Sequence, residues 1–128
     1  RRAAKKQRPL RQGVHFWLTD QSGNVLLRRR PMQGLLGGMT ELPGTPWRET
    51  AWSATEALVH APMDVEWKPA GQVRHGFTHF ELVIDLLAAQ VPAILADGFL
   101  HPGDALAEAA LPSVMRKCVR MASTRRPV

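Results

Sequence analysis

Cysteine is nearly absent from this chain and tyrosine is wholly absent. The single thiol, Cys118, excludes an internal disulfide, a cysteine-based zinc site and an iron–sulfur ligand set within these residues. A reducing compartment fits that usage. No apolar run approaches the roughly 20 residues that cross a bilayer, and the stretch from Arg1 to Arg11 is basic and polar with no apolar segment behind it. A soluble protein without a secretory signal is therefore expected, and no membrane partner. Acidic residues are also in short supply: 11 carboxylates face 17 Lys and Arg, for a formal charge of +6 and a sequence pI near 10.7. That balance favours a polyanionic partner, with nucleic acid ahead of an anionic membrane surface.

What is present suits one domain of 128 residues, long enough to bury a single core, with an ordinary 45% hydrophobic content. The basic excess sits at the two ends. Arg1, Arg2, Lys5, Lys6, Arg8 and Arg11 crowd the start, while Arg116, Lys117, Arg120, Arg125 and Arg126 crowd the finish. The first run has no periodicity and contains Pro9, so residues 1–12 are expected to be a basic interdomain linker and 13–128 the folded domain. A linker of that kind implies a piece of a longer polypeptide.

The pattern along the chain is α+β, without repeats. Val14, Phe16 and Leu18 alternate with His15, Trp17 and Thr19, and Asp20-Gln21-Ser22-Gly23-Asn24 turns the chain into Val25 to Arg30, predicting a β-hairpin. A glycine-rich loop follows over residues 31–39, then Glu41-Leu42-Pro43-Gly44 as a short strand with its stop. Ala51, Ala54 and Leu58 predict a helix within Thr50 to His60, ended by Pro62. Strands are predicted over Val65 to Arg74, over Phe77 to Gln90 and near Phe99, and a last helix over Pro112 to Ala122, with proline suited to the first turn.

The most informative stretch is Val73-Arg74-His75-Gly76-Phe77-Thr78-His79-Phe80-Glu81-Leu82. Phe80, Leu82, Ile84 and Leu86 share one strand face, and His79, Glu81 and Asp85 share the other. If that register runs back to Phe77, its ring lies with the polar set, beside Thr78 and His79. An exposed ring there can wedge between stacked bases while the hydroxyl bonds to one of them. The other reading is a Phe folded over a core edge, and the strand pattern leaves both open.

Rival chemistry has little support. His75 and His79 are four apart on a strand and loop, a spacing that does not bring both to one metal, and no metal site is expected. Ser53 and Ser113 have no paired base, so no catalytic residue is assigned. Gly34, Gly37 and Gly38 fit a tight turn, and Trp17, Trp47, Trp52 and Trp67 fit packing.

The order of hairpin, glycine loop, Leu-Pro-Gly and helix resembles the opening of a Nudix domain, which implies a mixed β-sheet flanked by helices. Hydrolases of that fold need spaced carboxylates to hold divalent metal against a diphosphate. Counting that spacing from Gly44 gives Thr50, Leu58-Val59 and Pro62-Met63 at those places, and counting from Gly38 recovers only Glu56. The carboxylate box is missing. A diverged hydrolase of nucleotide diphosphates would have to use others, such as Glu41, Glu49 and Glu56, and a basic protein-interaction domain is a further alternative.

Three segments resemble the C-terminal domain of the A/G-specific adenine DNA glycosylase family, the MutY type. They are Arg29-Arg30-Pro31 through Leu35-Leu36-Gly37-Gly38-Met39 to Glu41-Leu42-Pro43-Gly44, then Arg74 to Phe80, then Leu111-Pro112-Ser113-Val114-Met115-Arg116-Lys117. The resemblance implies a non-catalytic lesion-recognition domain for double-stranded DNA containing 8-oxoguanine opposite adenine. Phe77 would be the wedge, Thr78 the hydroxyl on the lesion and His79 the third member of the loop, while Arg74, His75, Arg116 and Lys117 would meet the backbone. The family commonly has Ser where Thr78 stands. The added methyl restricts the hydroxyl's rotamer. Excision would belong to a separate N-terminal glycosylase domain carrying an iron–sulfur cluster, in a monomeric, bacterial cytoplasmic protein associated with DNA. This chain itself would need no cofactor.

Overall fold

A computed structural model describes residues 8–124. β1 (Leu10–Asp20) and β5 (Glu81–Val91) run parallel through the middle of the sheet, in register from Leu10 opposite Glu81 to Asp20 opposite Val91. β2 (Asn24–Arg29) folds back on β1, and β3 (Thr40–Glu41) pairs with the far end of β2. β4 (Lys68–Gly76) lies antiparallel to β5, and β6 (Phe99–Pro102) pairs antiparallel with β2. The order is β3-β2-β1-β5-β4, and β6, off that path, also pairs with β2. This mixed sheet with helices is the α+β architecture that the sequence pattern implies.

Both faces of the central strands are covered, so the alternation in the sequence sorts residues between two cores. On one face α2 (Ser113–Ser123) lays Val114, Met115, Cys118 and Ala122 against Val73, Leu82, Ile84 and Leu86. Burial there pushes the Cys118 thiol up to about 12, which leaves it protonated and unreactive. On the other face α1 (Ala54–Leu58) brings Ala57 to Val14 and Phe16, and Trp67 meets Phe16 edge-on with centroids 5.0 Å apart. α1 is short because its start and stop are both tightly set. Ser53 and Glu56 form a reciprocal capping box at its N-terminus, and the chain turns at Val59, three residues before Pro62.

Several predicted boundaries move. Leu10, Arg11 and Gln12, assigned to the linker, are the first rungs of β1 against Glu81, Leu82 and Val83. Residues 1–7 of that linker lie outside the described residues. β4 begins at Lys68 rather than Val65, and β5 begins at Glu81 rather than Phe77, because a turn occupies the intervening residues. Of the Glu41 to Gly44 segment only Glu41 is strand; Gly44 makes a single bridge to His15. A 3₁₀ turn over Gly103–Glu108 was not apparent in the sequence pattern. Among the described residues no helix is long and apolar enough to cross a membrane.

Pro43 to Thr45 takes the edge of β1 that β2 leaves free. Phe16 N–H donates to the Pro43 carbonyl at 2.8 Å and Thr45 N–H to that of Val14 at 2.9 Å. The approach is close enough that a Cβ on Gly44 would sit 2.7 to 2.8 Å from three atoms of the buried His15 ring. Gly44→Ala is therefore expected to destabilise the fold by about 1–3 kcal/mol, as overpacking does. Urea denaturation would show it as a lowered midpoint, and an unchanged midpoint would contradict the contact.

Candidate nucleic-acid interface

β4 and β5 meet in a turn whose closing bond runs from the Phe77 N–H to the Phe80 carbonyl, 2.8 Å, with Thr78 and His79 exposed at its tip. His75 pairs with Leu82 and Gly76 with Glu81, so Phe77 falls opposite Phe80. Partners across an antiparallel pair share a face. Counting alternation straight through the turn therefore gives the wrong side: Phe77 lies with Phe80 and the α2 core, not with Glu81 and Asp85. Its ring stacks on Phe80 with centroids 4.8 Å apart and planes 21° apart, and His75 meets it edge-on at 4.9 Å. Phe77 is half-buried, and Thr78 and His79 ride on this aromatic base.

Positive charge gathers around the tip. Arg8 donates from Nη1 to the Phe77 carbonyl, a contact that escaped the sequence reading because Arg8 sat in an aperiodic run. Arg74 is exposed, 3.4 Å from Glu81, a surface pair that contributes little. His75 is partly buried, and burial followed by the charge of Lys117 lowers its pKa, so its ring is neutral near pH 7. Lys117 stands on α2, the helix packed against β4 and β5. Arg116 is set apart from this group and donates instead to the carbonyls of Ala107 and Ala109.

A second group was not anticipated at all. Glu41, almost fully buried, accepts from Arg28 Nε at 2.8 Å and from Arg30 Nε at 3.0 Å, and lies 3.0 Å from His15 Nε2. Burial alone would raise the Glu41 pKa; the His15 hydrogen bond and charge with both arginines outweigh it and hold the carboxylate ionised below its ordinary value of 4.5. Burial lowers the His15 pKa more than Glu41 raises it, leaving a neutral ring that donates from Nε2 and buries a bare Nδ1. The signal was in the sequence. Arg28 and Arg30 stand two apart on one strand face, and Arg28 is the rung opposite Glu41.

A family profile described as a NUDIX domain matches residues 14–121. The chain belongs to the NUDIX domain family. No curated protein matches its sequence. Among solved structures it is similar to the MutT protein of Methanosarcina mazei Go1, with a TM-score of 0.66 and 19% identity over 93% of this chain and 96% of that one. The C-terminal domain of mouse MUTYH, solved with human PCNA, aligns at a TM-score of 0.61 and 23% identity over 88% and 87%. A MutT NUDIX hydrolase from Burkholderia pseudomallei aligns at 0.63 and 16% identity over 88% and 97%. At these identities the likeness shows the fold.

In this NUDIX domain the three carboxylates a diverged hydrolase would use are scattered and engaged. Glu41 is buried in the arginine cluster. Glu56 belongs to the α1 cap, where hydrogen bonds from Arg48 first, then Ser53, hold it down at about 2. Glu49 is exposed and paired with Arg11 at 3.3 Å. Among the described residues no three His, Cys, Asp or Glu side chains are placed to share a metal ion.

The buried cluster makes stability depend on pH with one sign. Folded His15 holds a proton less tightly than the unfolded chain, so its contribution is complete above its ordinary value of 6.5 and declines as pH falls. Folded Glu41 behaves likewise below 4.5. Urea midpoints measured from pH 7 to about pH 3 are expected to fall in that order. Glu41→Gln should cost about 3–5 kcal/mol at neutral pH by stranding two guanidinium groups, and should flatten the lower step. A pH-independent midpoint would count against the buried pair.

Proposed function

We propose that this NUDIX domain is the lesion-recognition domain of an adenine DNA glycosylase of the MutY type, reading 8-oxoguanine opposite a mispaired adenine. The observation that carries the reading is the β4–β5 tip, where Thr78 and His79 stand exposed on the stacked Phe77 and Phe80, ringed by Arg8, Arg74 and Lys117. Oxidised guanine carries an N–H donor in place of the N7 acceptor and an added carbonyl. The Thr78 hydroxyl can donate or accept at that edge. Phe77 serves as the wedge with its open side while Phe80 backs it, so the ring enters the stack already held in place. Lys117 and Arg74 supply phosphate contacts, and Arg116, tied to two carbonyls, contributes less. Excision falls to a separate glycosylase domain with its iron–sulfur cluster.

Similarity to MutT-type proteins favours a second reading, a nucleotide hydrolase, and the scattered carboxylates weigh against it. Two measurements separate the readings. With magnesium or manganese the purified chain should not hydrolyse nucleoside triphosphates above the buffer blank. Turnover that disappears in Glu49→Gln would overturn the glycosylase reading.

Binding supplies the positive test, by anisotropy with a duplex carrying 8-oxoguanine opposite adenine and with its guanine counterpart. Thr78→Ala removes one hydrogen bond, about 0.5–1.5 kcal/mol, and should reduce the preference for the lesion without lowering the melting temperature. Phe77→Ala should remove a base-stacking surface of about 1–3 kcal/mol and, because the ring is half-buried, lower the melting temperature as well. Equal losses on both duplexes for both variants would sink the assignment.

A further inference from the structure

A cavity of about 680 Å³ opens beside the start of β1, the glycine-rich loop and the Pro46 to Glu49 segment. Arg11, Arg28, Arg30 and Arg48 line it, against one lining carboxylate, Glu49. Arg28 and Arg30 each commit Nε to Glu41 and Nη2 to a main-chain carbonyl, of Gly44 and Thr45 respectively. Among the described residues neither has a protein acceptor for Nη1. One carboxylate beneath two guanidinium groups and a neutral imidazole leaves the floor with a net positive charge, and Arg30 is only 7% exposed. Trp47, against which Arg30 packs at 4.6 Å, adds a buried Nε1 donor without an acceptor among the described residues. Positive charge that a single carboxylate does not balance, with guanidinium N–H groups unused at the cavity, suits an anion, and planar guanidinium forks match phosphate oxygens.

The position of the cavity says which phosphate. Arg8 bonds at the hairpin tip and Arg11 lines the cavity, three positions further along an extended segment already paired with β5 through the Pro9 carbonyl. Three extended residues cover about 10 Å, the axial span of about three phosphates on one strand. We propose that this cavity receives a backbone phosphodiester of the DNA strand whose damaged base meets the tip, held by guanidinium groups without a metal ion. The inference rests on reading the tip as a DNA interface and adds a site on the opposite flank from Lys117.

The test is anisotropy of the 128-residue chain in EDTA with the lesion duplex and its guanine counterpart, across a salt series. Arg11→Gln should weaken both duplexes alike. Losing one phosphate contact removes about 0.9 from the salt slope, so the affinity lost between about 50 and 200 mM salt shrinks by about 3.5-fold. Glu49→Gln, at a side chain 79% exposed, should tighten both duplexes alike and leave the melting temperature unchanged. If neither variant shifts affinity or slope, the cavity assignment is overturned, while lesion preference lost in Thr78→Ala still upholds the reading of the tip. If Thr78→Ala keeps its preference and the two cavity variants shift both duplexes, the tip reading fails and the phosphate site stands. Inorganic pyrophosphate is the probe for a free phosphate. A melting temperature that pyrophosphate raises, with duplex affinity indifferent to Arg11 and Glu49, would overturn the phosphodiester assignment in favour of a small ligand. A chain that binds neither duplex at low salt would overturn it outright.

Discussion

The carboxylate of Glu41 is the constraint on which the rest of the structure depends. It draws one partner from β1, His15, one from β2, Arg28, and one from the residue after β2, Arg30. Two of these groups are almost fully buried with it. An unpaired charge at that depth would be expensive, so none of the partners is independent of the others. Once Arg28 and Arg30 are committed, the Nη2 of each reaches a carbonyl, of Gly44 and Thr45 respectively, and fixes the path of the chain after Pro43. The same commitment places Trp47 between His15 and Arg30, with centroids 5.3 Å from the imidazole. Floor, wall and edge of the cavity therefore derive from one ionised group.

The strands and the last helix were legible because their apolar residues follow two clear periods. Phe16 and Leu18 on β1, and Leu82, Ile84 and Leu86 on β5, read correctly as inward-facing. Failures cluster where the period is interrupted. Phe77 was left open between the polar face and a core edge, and parity could not decide it, since a turn between paired residues puts the two flanking side chains on the same face whatever the count between them. Leu10 to Gln12 read as linker because their basic and polar side chains hide a backbone pairing that only the long-range partner β5 supplies. Glu41 read as a candidate metal ligand; nothing local shows that two arginines and a histidine converge on it. Such convergence is a tertiary fact, although the two-residue spacing of Arg28 and Arg30 hinted at it.

Charge in this chain divides into two populations with different duties. The formal excess of +6 suggests a uniformly basic surface, but much of the arginine is occupied internally. Arg48 holds the α1 cap through Glu56 and the carbonyls of Thr50 and Ala51, and packs 3.9 Å over Trp52. Arg30 is core. Among the described residues, exposed cations stand at the start of β1, on β4 and on α2, which is why composition pointed to the class of partner without showing where it would meet the fold. Thr50, Val59, Pro62 and Met63 stand where the hydrolase spacing places its carboxylates, and Leu58 where it places its arginine.

The pairing of β1 with β5 governs how the molecule comes together. Every rung of that parallel ladder joins residues 71 positions apart, and it supplies the two strands against which both helical layers pack. Closing a loop of that length loses chain entropy before any rung returns it, whereas the β1–β2 and β4–β5 hairpins close locally. The sheet's centre is therefore its slowest element to form. Until it does, Phe16, Leu18 and Ile84 are uncovered on both hairpins, so crowding and chain concentration during refolding act on the same residues that later make up the core.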